Sequence, residues 1–290
     1  MDARISGAAR HGFSRRALLG GLAASTLPLP GIAATEALQF GLTPVFLNDD
    51  LRLLADLKAY LEEAADTSVE LVTRRTYQEI TALLVAGQLD AAWICGYPYV
   101  AFRDQLSLVA VPVWRGRPLY QSYIIAESGR LVREIGDLAG DLHAYSDPDS
   151  NSGFLVTQAL LAEHGYDRYA FFRRAIFTYG HRNVVRAVAA GLTQSGSVDG
   201  YVLEVLADVE PEIVRRVDVV RRSEWLAFPP IAAPRALEGT KRLADIRNAF
   251  VAMAQADLGR RVLQTLQLDG FTVAENDLFD PIAAKLAAVR

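Results

Sequence analysis

The chain has 290 residues, of which 51% are hydrophobic and 22% charged, with a formal net charge of −4. That length and apolar content suffice for one or two well-filled cores, and a scattered acidic surplus offers no basic face to nucleic acid or to an anionic membrane surface. Any anion the protein takes up must be held by local geometry.

The chain opens with Ser14-Arg15-Arg16-Ala17-Leu18-Leu19, an apolar run from Ala17 to Ala24, Pro28, Pro30 and the small residues Gly31 to Ala34. This order of basic, apolar and small residues is that of a twin-arginine export signal over residues 1–34, cleaved near Ala33 or Ala34. The apolar run is too short to cross a bilayer. Leu18 and Gly20 stand where Phe and Lys are usual in the strongest form of the motif. Removing residues 1–34 takes four of the 30 basic and one of the 34 acidic residues, leaving 26 against 33 and a formal charge of −7. The mature chain is expected in the periplasm, free of the membrane. Its lone cysteine, Cys95, excludes an internal disulfide, and no lipid-attachment cysteine follows the signal.

From Leu38 onward apolar strands alternate with amphipathic helices. Strands are predicted at 38–42, 69–73 and 91–95, with helices at 50–65 and 77–86; the second helix opens on the capping box Thr76-Tyr77-Gln78-Glu79. The middle of the chain repeats the scheme, with strands at 142–146, 175–179, 198–202 and 217–220 and helices at 153–164, 181–190 and 201–207. Helices are also predicted at 242–256, 258–267 and 281–289. Two helix-to-strand passages match, Ala86-Gly87 leading to Asp90 and Ala190-Gly191 leading to Asp199, as two related α/β lobes would show. Leu119 to Ile125 and Leu226 to Ile231 read as the two crossings between lobes, which could close on a ligand by hinge motion.

One segment stands out for chemistry. In Tyr145-Ser146-Asp147-Pro148-Asp149-Ser150-Asn151-Ser152-Gly153-Phe154-Leu155, Pro148 stops a strand and Ser150, Asn151 and Ser152 are helix-capping types. A helix N-terminus at the mouth of a sheet presents N–H groups, hydroxyls and the positive end of the helix dipole, and can hold a small oxyanion without a formal cation. An ordinary helix cap accounts for the same residues. No phosphate-loop glycine pattern is present.

Cys95 falls at the carboxyl end of a strand, where open α/β sheets bind ligands. A thiolate there is a soft ligand for arsenic(III), copper(I) or mercury(II); a buried cysteine is equally a small apolar core residue. His181, after Tyr179-Gly180, can direct its ring into the cleft, and Asp199 lies at a strand–helix junction. Tyr77, Trp114 and Tyr120 are cleft aromatics or core. Cys95, His181 and Asp199 could serve as nucleophile, base and orienter, but no hydrolase, zinc-protease, Cys-x-x-Cys or dinucleotide motif accompanies them, so the chain reads as no enzyme and as needing no cofactor.

The run Tyr120-x-Ser122, Gly136-Asp137-Leu138-x-Gly140, Asp147-Pro148-Asp149-Ser150-Asn151-Ser152-Gly153, Phe171-Phe172, Gly180-His181, Ala187-Val188-x-x-Gly191 and Val198-Asp199 resembles the periplasmic binding proteins for phosphonate, phosphite and phosphate. The resemblance covers essentially the whole mature chain. It implies a two-lobe α/β fold of type II, with two mixed, mostly parallel sheets and a hinge of two crossings. Residues 35–122 with 227–290 would form one lobe and 123–226 the other. It implies ligand contacts from Ser150, Asn151 and Ser152, from Tyr97 or Tyr99, and from His181, with Tyr120, Ser122 and Asp199 facing the same cleft. It also implies delivery of a small oxyanion to an inner-membrane ABC permease. Asn151 stands where Thr is common. Cys95 stands where these proteins carry small non-thiol residues, and resembles a subgroup of arsenite-binding sensors that signal to membrane histidine kinases.

Overall fold

The computed structural model describes residues 37–44 and 51–290; the export signal read in residues 1–34 lies outside them. In chain order the elements begin with β1 (Leu38–Leu42), α1 (Leu51–Ala65), β2 (Val69–Thr73), α2 (Tyr77–Val85), β3 (Ala91–Trp93), α3 (Gly96–Ala101) and β4 (Leu106–Val113). After β5 (Leu119–Tyr120) come β6 (Ser122–Glu127), β7 (Leu142–Tyr145), α4 (Val156–Glu163), β8 (Arg174–Phe177), α5 (His181–Ala189), β9 (Ser195–Asp199), α6 (Gly200–Val209), α7 (Pro211–Val214) and β10 (Val217–Arg222). The chain returns through β11 (Leu226–Ala227) and finishes with β12 (Ile231–Pro234), α8 (Lys241–Val251), α9 (Asp257–Leu266), β13 (Gly270–Thr272) and α10 (Asp280–Val289).

The strands form a six-stranded sheet in the order β13-β4-β12-β3-β1-β2 and a five-stranded sheet in the order β10-β6-β9-β7-β8. The β5 and β11 segments pair antiparallel, Leu226 with Tyr120 and Ala227 with Leu119, so the two passages between the sheets are themselves a short ladder. Parallel pairing is confined to β1 with β2 and β3, and to β7 with β8 and β9. The other ladders are antiparallel, a larger share than the sequence suggested, because β12 and β13 return from the second crossing and add to the first sheet in the reverse sense. In the other sheet β6 alone runs in the reverse sense, between β9 and the edge strand β10, so both of its ladders are antiparallel.

Local sequence explains most boundaries. Thr76 accepts a hydrogen bond from Glu79 N while the Glu79 carboxylate accepts from Thr76 N, the reciprocal cap that starts α2. The matched helix ends are real: Gly87 (φ 70°) and Gly191 (φ 69°) both take the left-handed conformation after an Ala, and the N–H of the next residue bonds back to Leu83 O and Ala187 O respectively. Their sequels differ. Asp90 precedes β3, whereas Asp199 closes β9 and accepts from Val202 N to cap α6. The predicted strand at 198–202 is therefore 195–199, and α6 starts at Gly200.

One apolar core runs from the six-stranded sheet through Trp114, Tyr120, Tyr201 and Phe228 into the five-stranded sheet. Burying an aromatic such as Phe40 or Phe250 contributes roughly 2–3 kcal/mol. A second cluster, with Tyr145, Leu161, Phe171 and Phe172, packs against the five-stranded sheet.

Candidate oxyanion site

The carboxyl ends of β3, β7 and β9 and the N-terminal ends of α2 and α5 converge on one buried group of polar side chains. From the five-stranded sheet come Ser146 and Asp147 after β7, then Ser150, Asn151 and Ser152, whose chain winds through a π-helical turn at Asn151–Leu155 into α4. His181 and Asp199 come from the start of α5 and the end of β9. The six-stranded side supplies Tyr77 at the first position of α2 and Cys95 two residues beyond β3, where α3 begins, and Tyr120 arrives on the crossing strand. All of these residues are at most 2% exposed.

The opening turn of a helix has N–H groups without helical acceptors. Here Gly153 N donates to Ser150 Oγ at 3.0 Å, and Asn151 N donates to Cys95 Sγ at 3.1 Å. Ser150 thus spends its hydroxyl on its own helix. Ser122 donates its hydroxyl to Ser152 O at 2.6 Å and fixes the turn from behind. Gly153 has no alternative: a Cβ there would lie 1.8 Å from Ser146 Oγ and 3.0 Å from His181 Cε1.

Asp199 N donates to His181 Nδ1 at 3.1 Å, so Nδ1 carries the lone pair. Burial holds the ring neutral, its pKa lowered to about 3, so the proton sits on Nε2 and is donated to the Tyr77 hydroxyl at 3.2 Å. Tyr77 therefore accepts from His181 and keeps its own proton to give. Tyr120 is in the same position, accepting from Asn151 Nδ2 at 2.9 Å. Tyr77 N donates to Asp147 Oδ2 at 3.2 Å, so a carboxylate from beyond β7 caps α2.

Three side-chain atoms in this group, Ser146 Oγ, Asn151 Oδ1 and Ser152 Oγ, are buried and complete no hydrogen bond among the described residues. Ser152 nevertheless lies close enough to Tyr120 and Asp199 to favour their ionised forms. Desolvation pushes the Asp199 carboxyl up to about 7 and the Cys95 thiol up to about 12, and raises Tyr77 and Tyr120 well above the usual phenol range. None of these residues is a cation, and the hydroxyl donors share the cluster with two carboxyls, Asp147 and Asp199, whose pKa values burial raises.

Of the residues singled out from the sequence, Cys95, Tyr120, Asn151, Ser152, His181 and Asp199 meet here, with Ser150 and Ser122 supporting the turn. Tyr99 does not: it packs on Phe279 with ring centroids 4.7 Å apart and donates to Asn276 Oδ1, because the turn of α3 carries it to the opposite side. Tyr97 is half-buried, its hydroxyl pKa raised by desolvation and by Asp149. Tyr77 was legible only as a cleft or core aromatic, though its capping box places it at a helix start. Ser146 and Asp147 went unremarked as site residues despite lying in the singled-out segment. Among the described residues no group of three or more His, Cys, Asp or Glu side chains is arranged to hold a metal ion.

Residues 40–279 match the family model of the phosphonate ABC transporter periplasmic substrate-binding protein. The chain belongs to this family. The phosphate-import protein PhnD of Mycolicibacterium smegmatis is 28% identical over 230 residues, 74% of this chain and 71% of that protein. Among solved structures, the binding protein component of an ABC phosphonate transporter from Pseudomonas aeruginosa superposes with a TM-score of 0.78 at 20% identity, covering 86% of this chain and 85% of that one. PhnD1 of Prochlorococcus marinus in complex with methylphosphonate gives 0.77 at 17% identity, covering 87% and 98%. The fold is that of the type II periplasmic binding proteins, and the observed sheets and paired crossings are its architecture. As a member of the family of phosphonate-binding transporter components, the chain is a periplasmic substrate-binding protein of an ABC transporter.

Proposed function

We propose that this protein captures a small phosphorus oxyanion, a phosphonate, phosphite or phosphate, in the cluster around Ser152 and passes it to an inner-membrane ABC permease. The observation that carries the reading is the set of fully buried, unpartnered polar atoms at a helix start. Ser146 Oγ, Asn151 Oδ1 and Ser152 Oγ remain unsatisfied, and a buried polar atom left so costs about 1–3 kcal/mol unless a ligand meets it. The Tyr77, Tyr120 and Ser152 hydroxyls act as donors to the oxyanion. Asp199, its pKa pushed up to about 7, gains or loses a proton near neutral pH and exchanges it with a ligand oxygen, which suits an anion that itself carries a proton.

In this reading residues 35–122 with 227–290 and residues 123–226 are two lobes that close over the ligand about the β5/β11 ladder. Residues 1–34 direct export by the twin-arginine route, and the protein performs no catalysis. Its similarity to a phosphate-import protein and to a binding protein in complex with methylphosphonate supports the ligand class.

An arsenite-binding sensor docking on a histidine kinase is the competing reading, and it rests on Cys95 as a reachable thiolate. Burial pushes the Cys95 pKa up to about 12, outweighing the thiolate-favouring hydrogen bond from Asn151 N, and leaves a protonated, enclosed thiol. Calorimetry of the mature protein with phosphate, phosphite, methylphosphonate, arsenate and arsenite, with and without reductant, tests the choice. Saturable binding of a phosphorus oxyanion is expected. Binding of arsenite alone, lost in Cys95→Ser, would replace this reading with the sensor.

A further inference from the structure

The Cys95 sulfur is part of the buried cluster. It receives the Asn151 N–H at 3.1 Å and lies in the same buried group as Tyr77 and Tyr120. In the turn that donates this N–H, Asn151 Oδ1 and Ser152 Oγ are fully buried and unpartnered. The other donors have settled directions: Tyr77 accepts from His181, Tyr120 accepts from Asn151, and each has its proton left to give. With the Ser152 hydroxyl this makes three strong donors. The thiol is the exception in the group, for it is a weak donor and packs as a small apolar surface.

We propose that Cys95 is a specificity-determining residue that selects tetrahedral phosphorus oxyanions with three oxygens and one apolar corner, a hydrogen or an alkyl group, over phosphate. The inference rests on the oxyanion reading above and deepens it. Three oxygens of such a ligand meet the hydroxyls of Tyr77, Tyr120 and Ser152, and the fourth corner lies against sulfur. A P–H or P–CH3 corner loses nothing there. A fourth oxygen would be taken out of water to face a group that cannot replace its hydrogen bonds, and the Asn151 N–H that could have served it is already held by the sulfur.

Competition calorimetry with methylphosphonate and phosphate tests this, on wild type, Cys95→Ser and Cys95→Ala. Wild type should prefer methylphosphonate. Cys95→Ser, which puts a hydroxyl donor at nearly the same place, should shift the affinity ratio toward phosphate by about tenfold or more. Cys95→Ala, still apolar, should keep the wild-type order. A wild-type preference for phosphate overturns the proposal even if neither variant folds, as does a ratio unchanged within twofold in Cys95→Ser. In those cases oxyanion binding itself stands. Absence of binding to either ligand in wild type and in both variants would instead overturn the oxyanion reading, and this proposal with it.

Discussion

Two fully buried histidines of the five-stranded sheet divide structure from function. His143, on β7, bonds Ser195 Oγ and Ser197 Oγ at 2.8 Å each, and Thr157 Oγ1 bonds Ser197 Oγ at 2.6 Å. Its ring stacks on Phe172 with centroids 4.1 Å apart. Every member of that network is satisfied. His181 is as buried and as neutral, yet its network runs through Tyr77 and the Ser150–Ser152 turn to atoms with no partner. Burial and a depressed pKa are common to both, so neither identifies a site. What separates them is completeness: a closed polar network rigidifies a core, and an open one waits for a ligand.

Substitutions should break the two networks in different ways. The largest effect is expected for Gly153→Ala, because the new methyl overlaps the Ser146 hydroxyl and must displace the helix start. Oxyanion affinity should fall by about a hundredfold or more in calorimetry, with a stability loss of about 1–3 kcal/mol in denaturant unfolding. Next, His143→Phe strands the Ser195 hydroxyl, leaves Ser197 with Thr157 as its one partner, and should cost about 1–3 kcal/mol of stability while leaving affinity within twofold. A large affinity loss in that variant would erase the distinction between the networks.

Within the turn itself two serines should part company. Ser152→Ala removes an unpartnered hydroxyl and should lower ligand affinity by about 1–3 kcal/mol without destabilising the free protein. Ser150→Ala removes the bond from Gly153 N and should cost about 1 kcal/mol of stability, with the smaller affinity change. Equal affinity losses from both would mean that the ligand, not the helix, owns the Ser150 hydroxyl.

In pH dependence the buried groups separate by sign. Both histidines have folded pKa values lowered to about 3 from an ordinary 6.5, so the unfolded chain binds more protons between those limits and stability falls as pH drops through that window. Asp199, raised from 3.8 to about 7, binds its proton in the folded state first, so its contribution is lost as pH rises from about 4 to 7. Wild type should therefore lose stability relative to Asp199→Asn over that rise in chemical unfolding. Imidazole nitrogen spectra should show neutral rings for His143 and His181 from pH 5 to 8, with His181 protonated on Nε2.

Much of the fold was legible because its signals are local. The strand at Leu38–Leu42, the Thr76–Glu79 cap and the Ala-Gly helix ends need only their own neighbours. β9 was displaced by three residues because Ser195 and Ser197 look like turn residues until His143, some fifty positions away, is seen to bond both. β4 went unread because Pro112 breaks its pattern, although Pro112 sits opposite Phe271 on the last-added strand. The short helix α3 looked like a loop, and that cost the orientation of Tyr99. In the site, the capping residues were readable as a helix start, but which hydroxyls remain free depends on contacts between the two sheets. Tyr77 to Asp147 and Cys95 to Asn151 span 70 and 56 residues, and no local pattern announces them.

A crystal structure of the mature protein with methylphosphonate tests the central claim most directly. The account predicts the phosphorus within the buried cluster, with its oxygens in hydrogen-bond reach of Ser152 Oγ and the Tyr77 and Tyr120 hydroxyls. A different cavity of about 80 Å³ is lined in part by the cations Arg221, Arg222 and Lys285, where Lys285 is paired with Glu224 at 2.6 Å. Methylphosphonate bound there, with the Ser152 cluster unchanged, would contradict the claim that this protein holds its anion by helix-start geometry and not by charge.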